Sequence, residues 1–257
     1  MTRIPNAFHN KKAFIAFITG GDPDLETTEK LIYAMEEAGA DLIEIGIPFS
    51  DPIAEGVVIQ EADERALRSG TTTDDLFALV KRVREKSQIP LVFMTYYNPV
   101  FSYGRDRFLS NAKEAGIDGI IIPDVPFEES EEVRTYCQQY GIDLINMIAP
   151  TSLTRTKMIA KKAEGFLYCV SSLGVTGVRS EIKSDIASLI ADAKKVTDTP
   201  CAIGFGISTP QQAKEMAAVS DGVIVGSAIV KLVAKYGKDS IPYVAEYVKS
   251  MKDAIQS

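Results

Sequence analysis

The 257-residue chain contains no tryptophan and a single histidine, with only three cysteines. The lone His9 lies in a polar N-terminal segment, remote from every motif described below, and is expected to be structural or exposed. It leaves no Ser–His or Cys–His partnership for covalent catalysis and no His/Cys/Asp spacing typical of a metal site. Cys137, Cys169 and Cys201 are odd in number, widely spaced and set among apolar residues. They read as free buried thiols of a reducing compartment rather than a disulfide framework. No basic block is present and net charge is −7, which argues against nucleic acid as a partner. No run approaches the ~18 apolar residues of a membrane span, and the first residues lack a signal-peptide pattern. A cytoplasmic protein is expected.

What is present is a soluble globular composition, 46% hydrophobic and 25% charged. No Pro/Gly/Ser-rich linker divides it, so residues 1–257 are expected to form one domain around one large core. Strand-like runs at Phe14–Thr19, Leu42–Ile47, Leu91–Tyr96, Gly119–Ile122, Leu144–Ile148, Gly165–Val170, Cys201–Gly204 and Gly222–Val225 alternate with segments of helical spacing. Those segments are Leu25–Ala38, Thr73–Lys86, Arg105–Ala115, Glu128–Tyr140, Arg155–Ala163, Ile182–Val196, Pro210–Ala218 and Ile241–Ile255. Gln60–Arg68 and Ser227–Tyr236 are extra short helices, and Met1–Lys12 is expected to form a short helix over one end. Ala-Gly-Ala-Asp, Ala-Gly-Ile-Asp and Tyr-Gly-Ile-Asp precede the second, fourth and fifth strands, each placing a glycine just past a helix end. Near-continuous apolar strands in a βα rhythm imply a parallel sheet covered on both faces. Eight such units close into a (β/α)8 barrel of the TIM type, whose functional groups gather at the C-terminal ends of the strands. A doubly wound open sheet is the alternative, but no Gly-rich dinucleotide fingerprint follows the first strand.

The most informative stretch is Asp41–Gln60, DLIEIGIPFSDPIAEGVVIQ. It puts Glu44 inside an apolar strand and then breaks at Pro48 into a loop bearing Asp51 and Glu55. A polar group buried without a partner costs roughly 2–7 kcal/mol. Such groups cluster at sites that do chemistry, so Glu44 is the candidate acid/base and the loop a candidate lid. Gly204-Phe205-Gly206-Ile207-Ser208 follows the seventh strand, and Val225-Gly226-Ser227-Ala228 follows the eighth and opens a short helix. Glycines admit an anion close to the backbone and free N–H groups at a helix start bind it. This placement is the barrel's recurrent phosphate grip. The Gly-rich loop Ser171–Arg179 is long for a βα connection, could close on substrate, and would add Gly177 as a third backbone donor.

The segments IEIGIPFSDPIAEG, TYYNPVFSYG, IIPDVP, LGVTG, GFGIS and VIVGSAIVK, in that order, resemble the tryptophan synthase alpha chain family over essentially the whole chain. The resemblance implies retro-aldol cleavage of indole-3-glycerol phosphate to indole and glyceraldehyde 3-phosphate, with no metal or cofactor in this subunit. It gives Glu44 the proton transfers, Glu55 the stabilisation of charge at the indole nitrogen, and Tyr168 a place near Glu44 and the substrate. Phe17, Met94, Tyr96 and Phe205 match the walls of an indole slot, Asp124 an acid near the site, and Thr176 a lid residue. Phosphate contacts transfer to Gly177, Gly206, Gly226 and Ser227. The chain departs from the family where Ala54-Glu55-Gly56-Val57 replaces Ala-Asp-Gly-Pro, and where Ser172 stands for a frequent arginine.

The resemblance also implies an αββα complex in which indole passes to a β subunit holding pyridoxal phosphate. Docking would use Ser50–Ile53, Tyr97–Tyr103 and Pro126–Glu128, loops rich in Pro52, Pro99, Phe101 and Phe127. The alternatives are another phosphosugar barrel enzyme, or a weakly active subunit that mainly activates its partner.

Overall fold

A computed structural model describes residues 2–150, 153–170, 179–204 and 206–256. Among them, nine strands form one parallel sheet: β1 (Ala13–Thr19), β2 (Leu42–Gly46), β3 (Leu91–Met94), β4 (Gly119–Ile121), β5 (Asp143–Leu144), β6 (Asn146–Ile148), β7 (Leu167–Val170), β8 (Cys201–Gly204) and β9 (Gly222–Val225). Their spatial order is β5-β4-β3-β2-β1-β9-β8-β7-β6. The two ends of that order are neighbours in sequence, separated only by Ile145. β5 pairs with β4 and β6 with β7, while the Ile145 amide donates to the Ile120 carbonyl at 2.9 Å. The ring is thus closed by the chain itself, and the fold is a (β/α)8 barrel. The expected fifth strand, Leu144–Ile148, is broken in two because its halves serve different neighbours.

The helices are α1 (Pro5–Phe8), α2 (Leu25–Glu37), α3 (Val57–Arg68), α4 (Thr73–Arg84), α5 (Tyr97–Tyr103), α6 (Arg105–Ala115), α7 (Glu131–Tyr140), α8 (Leu153–Ala160), α9 (Arg179–Lys194), α10 (Pro210–Ala217), α11 (Ser227–Tyr236) and α12 (Ile241–Gln256). Tyr97–Tyr103, expected as a loop, is helical because the Asp124 carboxylate accepts from the Tyr97 amide at 2.9 and 3.1 Å. That places a carboxylate on the free N–H groups and positive dipole end of a helix start. The expected helix Glu128–Tyr140 is divided into a 3₁₀ turn, Phe127–Glu129, and α7. Ser130 Oγ donates to the Phe127 carbonyl at 2.7 Å at the junction.

Side chains alternate across each strand. Phe14, Ile43, Ile45, Leu91 and Phe93 face outward into the layer beneath the helices. Ile15, Leu42, Val92, Ile121, Ile145, Phe166, Ala202 and Ile224 form a layer inside the barrel. α1 stoppers its N-terminal end: Ile4 and Ala7 are buried in that inner cluster and Phe8 lies 5.8 Å from the Phe166 ring. The N-terminal segment is therefore an apolar plug on a polar strand of chain. No helix among the described residues is long and apolar enough to cross a membrane, and Cys137, Cys169 and Cys201 are buried and unbridged.

Candidate active site

Two residues beyond the inner apolar layer, toward the C-terminal ends of the strands, the same alternation brings up Phe17, Glu44, Met94, Met147, Tyr168, Gly204 and Gly226. Strand register fixes this row. Phe17 pairs directly with Glu44 across β1 and β2, and Gly46 pairs with Met94 across β2 and β3. Glycines at the top of the barrel leave room for aromatic rings. A Cβ at Gly46 would meet the Phe17 ring at 2.8 Å, one at Gly226 would meet it at 3.2 Å, and one at Gly204 would overlap the Tyr168 phenol. Phe17 is covered in turn by Ile59 and Ala62 of α3 and Val230 of α11.

Glu44 is the one carboxylate of β2 and is 1% exposed. Its Oε1 is buried with no hydrogen-bond partner among the described residues. Burial alone pushes its pKa up to about 8, because a low-dielectric surround disfavours the charged form. Tyr168 is half-buried on β7, and its phenol is raised above the ordinary range by burial and then by the Glu44 charge. A carboxyl poised near neutrality can both give and take a proton.

Glu55 lies in the loop between β2 and α3, beside two groups: the Asp63 carboxyl of α3 and the Tyr96 hydroxyl. That hydroxyl also accepts from the Ala54 amide at 3.0 Å, and the Tyr96 ring sits 5.5 Å from Phe49. Burial raises Glu55, against the pull of those two hydrogen-bonding partners. Burial and then the Glu55 charge push Asp63 up to about 9.

At the rim, Gly226 precedes α11, and no side chain among the described residues caps the helix start. The first amides of α11, beginning with Ser227, are therefore open to an anion. Gly226 stands beside Phe17, which pairs with Glu44, so the helix start lies two strand spacings, roughly 10 Å, from the acid. Gly206 takes φ +76° after β8, a conformation that favours glycine. A cavity of about 220 Å³ opens beside this row at the ends of β4, β6 and β7, lined by Pro123, Phe127, Met147, Ile148 and Val170 among others.

The structure thus gathers Glu44, Phe17, Met94, Tyr168 and Gly226 at one end of the barrel, with Glu55 and Tyr96 at the edge of α3. Asp124 accepts from the Tyr97 amide and lies close enough to Tyr96 for its charge to act on that phenol. Thr176, Gly177 and Phe205 lie outside the described residues, as does Ser172. Sequence reasoning missed Asp63, which sits within an amphipathic helix pattern as one more acid. It also missed Thr19, whose buried Oγ1 at the top of β1 has no hydrogen-bond partner among the described residues. Their only signal is a polar residue on the buried side of an element.

The closed barrel, with a buried carboxyl and an open helix start at the C-terminal ends of its strands, places the chain among the (β/α)8 enzymes. The family model for the tryptophan synthase alpha chain matches residues 6–256. The tryptophan synthase alpha chain of Thermoanaerobacter sp. (strain X514) is 47% identical, over 99% of this chain and 100% of that one. Among solved structures, the alpha subunit from Legionella pneumophila str. Paris superposes with TM-score 0.90 at 37% identity, covering 99% of this chain and 98% of that one. A chain of the tryptophan synthase α2β2 complex from Pyrococcus furiosus gives TM-score 0.86 at 38% identity, covering 94% and 98%. The chain belongs to the tryptophan synthase alpha chain family.

Proposed function

We propose that this chain cleaves indole-3-glycerol phosphate to indole and glyceraldehyde 3-phosphate as the α subunit of tryptophan synthase, with Glu44 moving the protons. The observation that carries the assignment to Glu44 is its inward, buried carboxyl with a pKa near 8. The neutral acid protonates C3 of the indole ring, and positive charge spreads to the ring nitrogen. The resulting carboxylate takes the proton of the adjacent side-chain hydroxyl. The bond from C3 to that carbon breaks, its electrons return to the ring, and neutral indole and an aldehyde leave. Glu44 ends protonated, as it began. Glu55, held at the slot's edge, stabilises the N–H cation as it forms. Phe17 and Met94 wall the ring, and the amides of Gly206, Gly226 and Ser227 hold the phosphate.

The partner is a β subunit, in an αββα assembly. Ile53 is 79% exposed, Val57 66% and Phe101 57%, an apolar group at the same end as Glu44. Val57 and Phe101 lie on helices α3 and α5, so the docking face is built on helices as well as loops. Pyridoxal phosphate chemistry belongs to that β subunit and requires no residue of this chain. A cytoplasmic setting accords with the three free thiols. The test is indole release from indole-3-glycerol phosphate by the isolated chain, then with a β subunit added. Release that rises on addition of the partner is the expected result. No release in either arm overturns the reading.

A further inference from the structure

Asp63 has no part in the chemistry above, yet α3 turns it inward until it is 4% exposed. The Phe49 amide donates to it, and the Glu55 carboxyl faces it. The next charge is Asp22, which carries its own cation: Arg65 Nε and Nη2 each reach an Asp22 oxygen at 2.8 Å. Arg65 is therefore spent on Asp22, and the other guanidinium of α3, Arg68, pairs with the exposed Glu64 at 2.9 Å. Tyr96 also hydrogen-bonds Glu55, and the charges of Glu55, Asp63 and Asp124 all act on its phenol. No cation is among the groups that dominate either carboxyl. Two carboxyls packed together away from water cannot both ionise, so they hold one proton between them. Asp63 is the deeper of the two and keeps it. Glu55 Oε2, meanwhile, is buried with no hydrogen-bond partner among the described residues. An orphaned acceptor of that kind is costly unless something arrives to donate.

We propose that Asp63 is a positioning residue for Glu55: its carboxylic acid donates to the Glu55 carboxylate, holding that group inward and charged, with one oxygen left free for the N–H of the substrate's ring. The inference rests on the reading of the site given above. In this arrangement the Asp63 proton keeps a half-buried acid ionised beside an apolar slot, with no lysine or arginine among the groups that dominate it. Substrate needs the pair singly protonated. Loss of the shared proton sets two negative charges against each other and turns Glu55 outward.

The test uses Glu44→Gln, which is expected to hold substrate while cleaving it at least about 10²-fold more slowly and which removes the titration of Glu44. The affinity for indole-3-glycerol phosphate is measured from pH 7 to pH 10 in this variant and in the Glu44→Gln/Asp63→Asn and Glu44→Gln/Glu55→Gln doubles. The substrate phosphate is a dianion throughout, since its second pKa is about 6. Tyr96, pushed up to about 12, stays neutral over most of the range. In Glu44→Gln, affinity should fall about tenfold by pH 10, one unit above an ionisation near 9. The amide introduced by Asp63→Asn still donates but does not ionise, so the Glu44→Gln/Asp63→Asn double should bind within about threefold at pH 7 and stay flat. The Glu44→Gln/Glu55→Gln double should bind weakly at every pH. Parallel pH curves with and without Asp63→Asn overturn the inference. A second readout needs no substrate: the melting temperature of Asp63→Asn minus that of the parent should rise as pH passes from 7 to 10, and a constant difference also overturns it. Should Glu44→Gln bind no substrate at any pH, the functional reading fails, while the melting curves still decide whether the carboxyl pair shares a proton.

Discussion

The Tyr168 phenol lies across Gly204, so that a methyl group at position 204 would overlap its Oη, Cε1 and Cζ atoms. The two residues sit on adjacent strands, with Val170 the register partner of Gly204. A glycine there lets the ring lean over β8 instead of standing upright, and its hydroxyl then shares an environment with Glu44. Gly204→Ala should cost about 1–3 kcal/mol by overpacking, seen as a fall in melting temperature, and should slow indole release with it. In a Tyr168→Ala background the same Gly204→Ala change should cost little further stability, because the clash needs both side chains. Independent, additive losses would show that the ring does not occupy that space.

The pKa of Glu44 makes a claim about stability. Its folded value near 8 lies above the unfolded value of about 4.3. The folded state therefore holds the proton more tightly, and the advantage of burying the neutral acid is lost as pH climbs through that window. Glu44→Gln carries no such penalty. Its melting temperature should equal or fall below that of the parent at pH 4, then exceed it by several degrees at pH 9, at roughly 2–4 °C per kcal/mol for a chain of this size. A gap that does not change with pH would mean that Glu44 titrates normally and is wet.

Much of the barrel could be read from local chemistry. Gly116 and Gly141 take the left-handed cap positions their place in the βα repeat implies, and Pro90 and Pro200 precede strands that begin one residue later. Glu44 stood out because an apolar strand makes a carboxylate conspicuous. Other features depend on contacts far apart in sequence. The break at Ile145 follows from which neighbour each half-strand meets, and α5 is capped by an acid 27 residues further on. Asp41 is held by Lys252 and Lys11, partners no local pattern links. The Glu55–Asp63 pair was hidden for a different reason: an acid at that point of an amphipathic helix reads as solvated until burial is known. The departure from the family at Val57 has a local account, since Val57 is the first helical residue of α3, where proline fits without losing a hydrogen bond.

The open start of α11 yields a test in which binding and stability move in opposite directions. Ser227→Asp places a negative charge in the first turn, where it complements the helix dipole by about 0.3–1 kcal/mol. It also occupies the ground assigned to the phosphate. The variant should melt at or slightly above the parent temperature while its KM for indole-3-glycerol phosphate rises at least about tenfold, equivalent to ~1.4 kcal/mol. An unchanged KM would remove the helix start from the binding site.

Phe101 tests the docking face. It is 57% exposed on α5, with the Arg105 guanidinium 5.4 Å from its ring centre. Phe101→Asp should leave indole release by the isolated chain within about twofold. Affinity for the β subunit should weaken by about thirtyfold or more, the ~2 kcal/mol expected of an aromatic anchor at an interface. Titration calorimetry with the β subunit reads this directly, and undiminished affinity would move the interface elsewhere on the rim.

The central assignment is Glu44, and single-turnover kinetics of Glu44→Gln test it most directly. Rapid mixing of excess variant with indole-3-glycerol phosphate separates binding from bond cleavage. Binding at pH 7 should stay within a few-fold of the parent, because the amide keeps the shape of the side chain, while the cleavage rate falls by at least the 10²–10⁴ that general acid–base catalysis contributes. Cleavage at a rate near that of the parent would show that another group moves the protons.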